Sequence, residues 1–192
     1  MTSTHPILVF AGSARTGSFN KGLARLAADS IRRQGGDATF VDLRDYPIPL
    51  YDGGLEKESG IPENARALKK LLAAHQGLAI ASPEYNGFIT PLLKNTLDWL
   101  SRPDGDEDGL GLFRDKVAIV LSASPGGFGG IRSLGLARQL LLNLGMIVLP
   151  NQVVVPRAGQ AVTDSGEFAD KGMGERLDTA CGALVRTLAR IA

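Results

Sequence analysis

Cysteine is almost absent from this sequence. Cys181 is the only one among 192 residues, so no disulfide can form within the chain. Disulfides are common in oxidising compartments, and their absence favours a reducing one. The N-terminal residues show no basic segment followed by an apolar core, so no signal peptide is evident. We therefore expect a cytoplasmic protein.

Long apolar runs and a charge bias are also missing. No run approaches the length of a membrane-spanning helix, so we expect no membrane association. Twenty-one basic and twenty acidic side chains leave a formal net charge of +1, without a block of like charge. Nucleic-acid binders usually carry a basic bias or stripe, so we expect no such partner. The apolar fraction of 44% suits a single domain over residues 1–192.

Histidine is scarce, which disfavours a Ser-His-Asp catalytic site. His5 and His75 are the only two histidines, and the sequence offers no convincing Ser-His-Asp set. We expect both histidines at the surface. The acidic segment 104–109 is similar to a calcium loop, but the glutamate that should end the pattern is missing. We therefore expect no metal site.

Apolar runs alternate with helical patterns along the whole chain. Strand-like runs occupy residues 7–10, 38–42, 77–82, 117–122 and 146–155, the last bent at Pro150. We expect residues 43–60 to form an irregular surface connection. Alternation of this kind predicts a doubly wound α/β fold with helices on both faces of a parallel sheet. Five strands suit the flavodoxin-like order 2-1-3-4-5.

The first strand leads into a polar turn, GSARTGSFN, at residues 12–20. The helical pattern that follows would place its free N–H groups at this turn, where they favour an anion. Ser13, Ser18 and Asn20 add short donors, and Arg15 adds a cationic one. The turn therefore suits one terminal phosphate, although an ordinary polar connection is an equally good interpretation.

Two common phosphate loops do not match this turn. Gly12 and Gly17 have the spacing of a P-loop, but Ser18 stands where that motif needs lysine. Ala14 occupies the place of the second glycine of the dinucleotide pattern. Neither a nucleoside triphosphate nor a dinucleotide is therefore the expected ligand.

Two further turns follow the third and fourth strands. The first of them, SPEYNGFITP, combines an aromatic, an amide and a well-signalled helix start at Thr90 and Pro91. The other, SASPGGFGG, has glycines that permit close approach of the backbone. In the predicted order the three turns share one rim of the sheet. A phosphorylated planar ring such as FMN fits all three, with backbone N–H groups of residues 84–88 bonding the ring. Alternatively, Tyr85 and Phe88 merely cover the core.

These motifs resemble the NADPH-dependent FMN reductase family of flavodoxin-like proteins, which includes quinone, chromate and azo-dye reductases. Residues 83–103 are similar to its P-E-Y-N-G-S-x-P-x-x-L-K-N-x-x-D-W signature, and residues 12–20 to its G-S-x-R-x-x-S-x-N phosphate loop. The match at residues 122–130 is looser. Phe88 replaces a small residue of the family, which we expect to reshape the substrate entrance.

The resemblance implies a set of FMN-binding residues and no obligatory catalytic side chain. It assigns the phosphate to the first turn and the isoalloxazine to the second and third turns. The implied residues are Ser13, Arg15, Ser18, Phe19, Asn20, Pro83, Glu84, Tyr85, Asn86, Gly87, Ser122, Gly126 and Gly127. It also implies a homodimer or homotetramer, with the helix near residues 92–100 as a candidate interface element. Trp99 suits that interface and the core of one subunit equally well.

The implied activity is transfer of hydride from NADPH or NADH to FMN and on to a quinone or similar acceptor, such as a flavin, an azo dye or chromate. A non-enzymatic electron carrier of the flavodoxin type is the alternative. The net charge of +1 would give such a carrier little steering toward a basic partner. An FMN-free phosphate-binding or signalling module is a third hypothesis.

Overall fold

A parallel five-stranded sheet forms the centre of the computed structural model, which describes residues 5–162 and 168–191. The strands follow the order β2-β1-β3-β4-β5, which confirms the predicted flavodoxin-like topology. Their bounds are β1 Pro6–Ala11, β2 Asp37–Val41, β3 Gly77–Ala81, β4 Val117–Ala123 and β5 Ile147–Val155.

Helices cover both faces of the sheet. The part of the chain that the structure describes contains seven α-helices: α1 Phe19–Arg33, α2 Gly53–Ser59, α3 Glu63–Ala74, α4 Pro91–Leu100, α5 Ile131–Asn143, α6 Ala158–Ala161 and α7 Lys171–Ile191. Alternate side chains of β1 separate the two faces, because successive strand residues point in opposite directions. Ile7 and Val9 pack with α1 and α7, whereas Leu8 and Phe10 pack with α3, α4 and α5. Cys181 lies fully buried in the first of these clusters, and burial raises the pKa of its thiol to about 12.

Residues 43–60 are more ordered than the sequence predicts. They contain a short 3-10 helix, Leu43–Asp45, and the helix α2. Asp52 caps α2 by accepting hydrogen bonds from the N–H groups of Gly54 and Leu55 at 2.6 and 3.1 Å. The expectation of an irregular connection was wrong because this cap and the packing against Trp99 stabilise a segment that is rich in helix breakers.

Trp99 belongs to the core of the subunit. Its side chain is fully buried, and its Nε1 donates a hydrogen bond to the carbonyl of Pro49 at 2.8 Å. The ring of Tyr51 packs edge-on against it, with ring centres 5.1 Å apart. Trp99 is therefore not available to an interface between subunits.

Other local expectations have mixed outcomes. β5 is bent as expected, because its register with β4 shifts between Ala118 and Val120. The polar residues 164–174 predict a loose connection before the last helix. α7 instead begins at Lys171, and residues 163–167 lie outside the described residues. His75 is buried rather than at the surface. It ends α3, and its Nδ1 lies 2.5 Å from the carbonyl oxygen of Leu71.

Carboxylates of the acidic segment face cations from neighbouring elements. The Oδ2 of Asp104 lies 2.6 Å from the Nε of Arg66, and the Oε1 of Glu107 lies 2.7 Å from the Nζ of the buried Lys69. Over residues 5–162 and 168–191, no cluster of three or more His, Cys, Asp or Glu side chains could hold a metal ion. Within the same ranges, no helix combines the length and apolarity needed to cross a membrane.

Candidate functional site

The three unusual turns meet at one rim of the sheet. β1, β3 and β4 are neighbours, so their carboxyl ends lie side by side. A cleft of about 430 Å³ opens between the turns. Its lining contains Ser13, Arg15, Ser18, Phe19, Asn20, Pro83, Glu84, Tyr85, Ala123, Ser124 and Pro125.

Eight of the residues that the sequence predicts line this cleft, and five do not. Asn86 and Gly87 lie at the exposed tip of the second turn, and Gly126 and Gly127 are exposed in the third. Ser122 has no exposed surface, because it lies inside β4 beneath Gly130. Ser122 therefore does not line the cleft. Ser124 and Pro125 line the cleft without having been predicted.

The first turn leads into helix α1, whose N-terminus has no side-chain cap. Ser18 is the N-cap of α1, but its side chain makes no capping hydrogen bond. The first helical N–H groups of α1 have no partner one turn earlier, so they can donate to a ligand. The N-terminal residues of α1 also include no acidic side chain that would repel an anion. This end of α1 has the free donors that a phosphate requires.

Arg15 is exposed beside these donors. Its Nη2 donates to the carbonyl of Gly17 at 2.9 Å, and its guanidinium carbon lies 5.6 Å from the centre of the Phe19 ring. The hydroxyl of Ser13 accepts a hydrogen bond from the N–H of Arg15 at 3.3 Å. The arginine therefore folds back over its own turn, within the lining of the cleft.

Asn20 fastens the first turn to the third. Its Nδ2 donates to the carbonyl of Ala123 at 2.7 Å, and its Oδ1 accepts from the N–H of Ala123 at 2.9 Å. Both polar atoms of the buried amide are thus engaged with the end of β4. Asn20 therefore supports the cleft and also lines it, and its predicted contact with phosphate stays a prediction.

Thr90 fastens the second turn to the first. Its Oγ1 donates to the carbonyl of Gly12 at 2.7 Å and accepts from the N–H of Leu93 at 3.1 Å, which caps α4. Gly12 permits this approach because a Cβ there would lie 2.9 Å from the Cβ of Leu93. Thr90 therefore confirms the predicted N-cap and also supports the cleft.

A tight hairpin forms the tip of the second turn. Tyr85 and Phe88 exchange two backbone hydrogen bonds at 3.0 and 2.9 Å. Asn86 and Gly87 between them have φ angles of 52° and 80°, which is the geometry that favours Asn-Gly. The N–H groups of Tyr85 and Phe88 are consumed by this pairing and cannot bond a ring. Their side chains are 52% and 54% exposed, so they do not merely cover the core.

Glu84 fastens the second turn to the start of α5, which directly follows the third turn. Its carboxylate accepts from the N–H groups of Arg132 and Ser133 at 3.1 and 3.3 Å and from the Nε of Arg132 at 2.7 Å. Burial alone would raise the pKa of Glu84, but the hydrogen bonds from Arg132 and Ser133 outweigh it and hold the pKa below its ordinary value. The carboxylate therefore caps α5 in its charged form.

Two cations near the first turn were not predicted from the sequence. Arg44 donates to the hydroxyl of Thr16 at 2.7 Å, and Lys21 pairs with Asp42 at 2.7 Å. The first contact joins the first turn, and the second joins α1, to the residues that follow β2. They involve residues 28 and 21 positions apart, so no local pattern could reveal them.

A second cavity lies on the other side of Phe19. It measures about 300 Å³ and its lining is largely apolar, including Leu23, Val155, Ala158 and Phe168. It shares Ser18, Phe19 and Ala123 with the cleft. The cleft is the better candidate for a phosphorylated ligand because it gathers the polar groups of all three turns.

Comparison with known proteins identifies the family. A family model described as NADPH-dependent FMN reductase matches residues 6–160. The chain belongs to this family. It is an enzyme, a flavin-dependent oxidoreductase that uses FMN and NAD(P)H.

Relatives in bacteria and plants support this assignment. The chain is 31% identical over 180 residues to a quinone reductase of Escherichia coli (strain K12), with 92% of each protein covered. It is 32% identical over 185 residues to an NADPH:quinone oxidoreductase of Arabidopsis thaliana, covering 92% of this chain and 90% of the relative. The fold is similar to that of the flavoenzyme NAD(P)H:(acceptor) oxidoreductase of Paracoccus denitrificans, with a TM-score of 0.80 and 23% identity. The similarity covers 97% of this chain and 98% of that one.

We predict that Asn20→Asp destabilises this FMN reductase family member. The replacement turns a donor toward the carbonyl of Ala123 into a second acceptor, and an unsatisfied buried group costs about 1–3 kcal/mol. Urea unfolding should therefore show a lower free energy of unfolding. Asn143→Asp, at the exposed end of α5, is the matched control. Equal stability of both variants and the wild type would contradict the supporting role.

Proposed function

We propose that the protein transfers hydride from NAD(P)H through FMN to a quinone or a similar acceptor, such as a flavin, an azo dye or chromate. The observation that carries the proposal is the single cleft built by three turns, with the uncapped start of α1 at one end. The names of the quinone reductase relatives support the class of acceptor.

The phosphate of FMN would bind at the first turn. The Ser18 hydroxyl and the free N–H groups of α1 supply neutral donors, and Arg15 supplies a charged one. Ser13 and Asn20 line the same end of the cleft, and Asn20 also holds it to the end of β4 through Ala123. A cleft of about 430 Å³ lies within the usual range for small-molecule sites.

The isoalloxazine ring would lie between the second and third turns. Pro83 and Tyr85 would border it on one side, and Ser124 and Pro125 on the other. Gly126 and Gly127 leave the backbone of the third turn accessible at that edge. In the second turn, the N–H groups of Asn86 and Gly87 take no part in the hairpin pairing. They would be free to donate to the ring.

The chain supplies binding and orientation rather than an acid or base. The lining contains no histidine, and its one carboxylate, on Glu84, is engaged with α5. Bound FMN would itself accept and release the electrons. The exposed Tyr85, Phe88 and Phe128 would provide apolar contact for a planar acceptor at the mouth.

We further propose a homodimer or a dimer of dimers. α5 exposes Ile131, Leu136 and Leu142, and Phe128 precedes it with 69% of its surface exposed. A second copy of the chain would cover these side chains. The cytoplasmic location stays a prediction from the sequence.

A turnover assay tests the proposed function. The protein should purify with FMN or bind it when added, lose its flavin absorbance on addition of NADPH or NADH, and regain it with a quinone. Steady oxidation of the nicotinamide in the presence of a quinone panel would complete the test. Flavin that the nicotinamide does not reduce would instead favour an electron carrier.

We predict that Arg15→Ala weakens FMN binding. A hydrogen bond to a charged group contributes about 1.5–3 kcal/mol, which corresponds to a dissociation constant raised by roughly 10- to 150-fold. Quenching of FMN fluorescence on titration with the protein would measure the change. Arg33→Ala removes an exposed arginine at the opposite end of α1 and should leave the affinity unchanged. Equal affinities of the two variants would remove Arg15 from the site.

A further inference from the structure

Three polar side chains link the three turns of the cleft in pairs. Thr90 links the second turn to the first, Asn20 links the first to the third, and Glu84 links the second to the third. The first two links join neutral groups. The link through Glu84 is an ion pair, so it can affect the charge of the cleft as well as its shape.

The Glu84 link joins two elements that are far apart in sequence. Arg132 and Ser133 lie 48 and 49 positions after Glu84, in the first turn of α5. Both carboxylate oxygens are engaged, since Oε2 accepts from the two backbone N–H groups and Oε1 accepts from Nε and Nη2 of Arg132. The Glu84 side chain is only 6% exposed, whereas that of Arg132 is 62% exposed.

The same contacts reach the third turn itself. The guanidinium carbon of Arg132 lies 5.5 Å from the centre of the Phe128 ring. Gly130, with a φ angle of 90°, passes directly over Ser122, where a Cβ would lie 2.0 Å from the Ser122 hydroxyl oxygen. The third turn is therefore held from below by β4 and from the side by the second turn.

The resemblance implies that Glu84 binds the cofactor, but its contacts indicate another role. A carboxylate is an acceptor only, and the donors on Arg132 and Ser133 already occupy both oxygens. A flavin ring presents carbonyl oxygens and ring nitrogens to its surroundings, and most of these would repel a further carboxylate. Glu84 nevertheless lines the cleft, so its charge lies at the wall of the site.

We propose that Glu84 is a positioning residue, which fixes the distance between the second and third turns through Arg132 and α5. This inference rests on the proposed function, because it concerns the wall of the FMN cleft. Arg132 cancels the negative charge of Glu84, so the wall does not oppose electrons that enter the cofactor. Reduction adds negative charge to a flavin, which a nearby cation favours and a nearby anion disfavours.

The two halves of the pair therefore have opposite electrostatic effects. Glu84→Gln keeps an oxygen for the backbone N–H groups of α5 but leaves Arg132 without its counter-charge, so the reduction potential of bound FMN should rise. Arg132→Ala leaves the carboxylate without its guanidinium, so the potential should fall. The double variant should lie near the wild type. A purely structural effect would move both single variants in the same direction.

The experiment uses these three variants, Glu84→Ala, and Glu56→Gln as a matched control. Glu56 also pairs with an arginine, since its Oε1 lies 2.8 Å from the Nε of Arg102, but it does not line the cleft. Hydrogen exchange of the FMN-free protein measures the link, and FMN titration and potentiometry of the loaded protein measure its consequences. Should Glu84→Ala fail to fold, Glu84→Gln and Arg132→Ala still provide every readout.

In Glu84→Ala, we expect faster hydrogen exchange of the backbone amides at residues 85–88 and 131–133 together. The affinity for FMN should weaken about tenfold or more. Glu56→Gln should change neither. Wild-type exchange at both segments in Glu84→Ala, or potentials that shift in the same direction in Glu84→Gln and Arg132→Ala, would overturn the proposal. A protein that binds no FMN would refute the proposed function, and the exchange data would still decide whether Glu84 links the turns.

Discussion

The polar contacts between the turns that follow β1, β3 and β4 are the constraint on which the candidate site depends. A parallel sheet brings these strand ends to one rim, but it does not fix the turns relative to one another. Thr90, Asn20 and Glu84 supply that constraint: Thr90 and Asn20 reach the backbone of another turn, and Glu84 reaches the start of α5, directly after the third turn. The contacts of Thr90 and Asn20 are buried, and the Glu84 carboxylate is only 6% exposed, so loss of a partner would leave a buried polar group unsatisfied. The cleft is therefore held in shape before any ligand binds.

Close packing around the turns makes these contacts possible. Gly12 allows α4 to approach the end of β1, and Gly130 allows α5 to begin directly above β4. Either position would place a Cβ within 3 Å of a neighbouring atom. Side chains of the turns are thereby left free for two separate tasks. Buried ones support the cleft, and exposed ones such as Arg15 and Tyr85 are available to a ligand.

The topology and the location of the site could be predicted from the sequence because they depend on local patterns. Apolar runs, helix signals and three distinctive turns are all visible within short segments, and parallel pairing then determines which ends meet. The role of each side chain was harder to predict. Asn20 has the residue type of a phosphate ligand, but its partner, Ala123, lies 103 positions away. Ser122 follows the pattern of a site residue, but Gly130 covers it. Arg44 and His75 escaped prediction for the same reason, since contacts between distant segments decide their environment, whereas α2 was missed although its cap, Asp52, is local.

A crystal structure of the FMN complex would test the central claim most directly. The account predicts that the phosphate accepts hydrogen bonds from the start of α1 and from Ser18, with the ring between the second and third turns and the three links intact. FMN bound in the apolar cavity behind Phe19, or a ring that displaces Glu84 from α5, would contradict it.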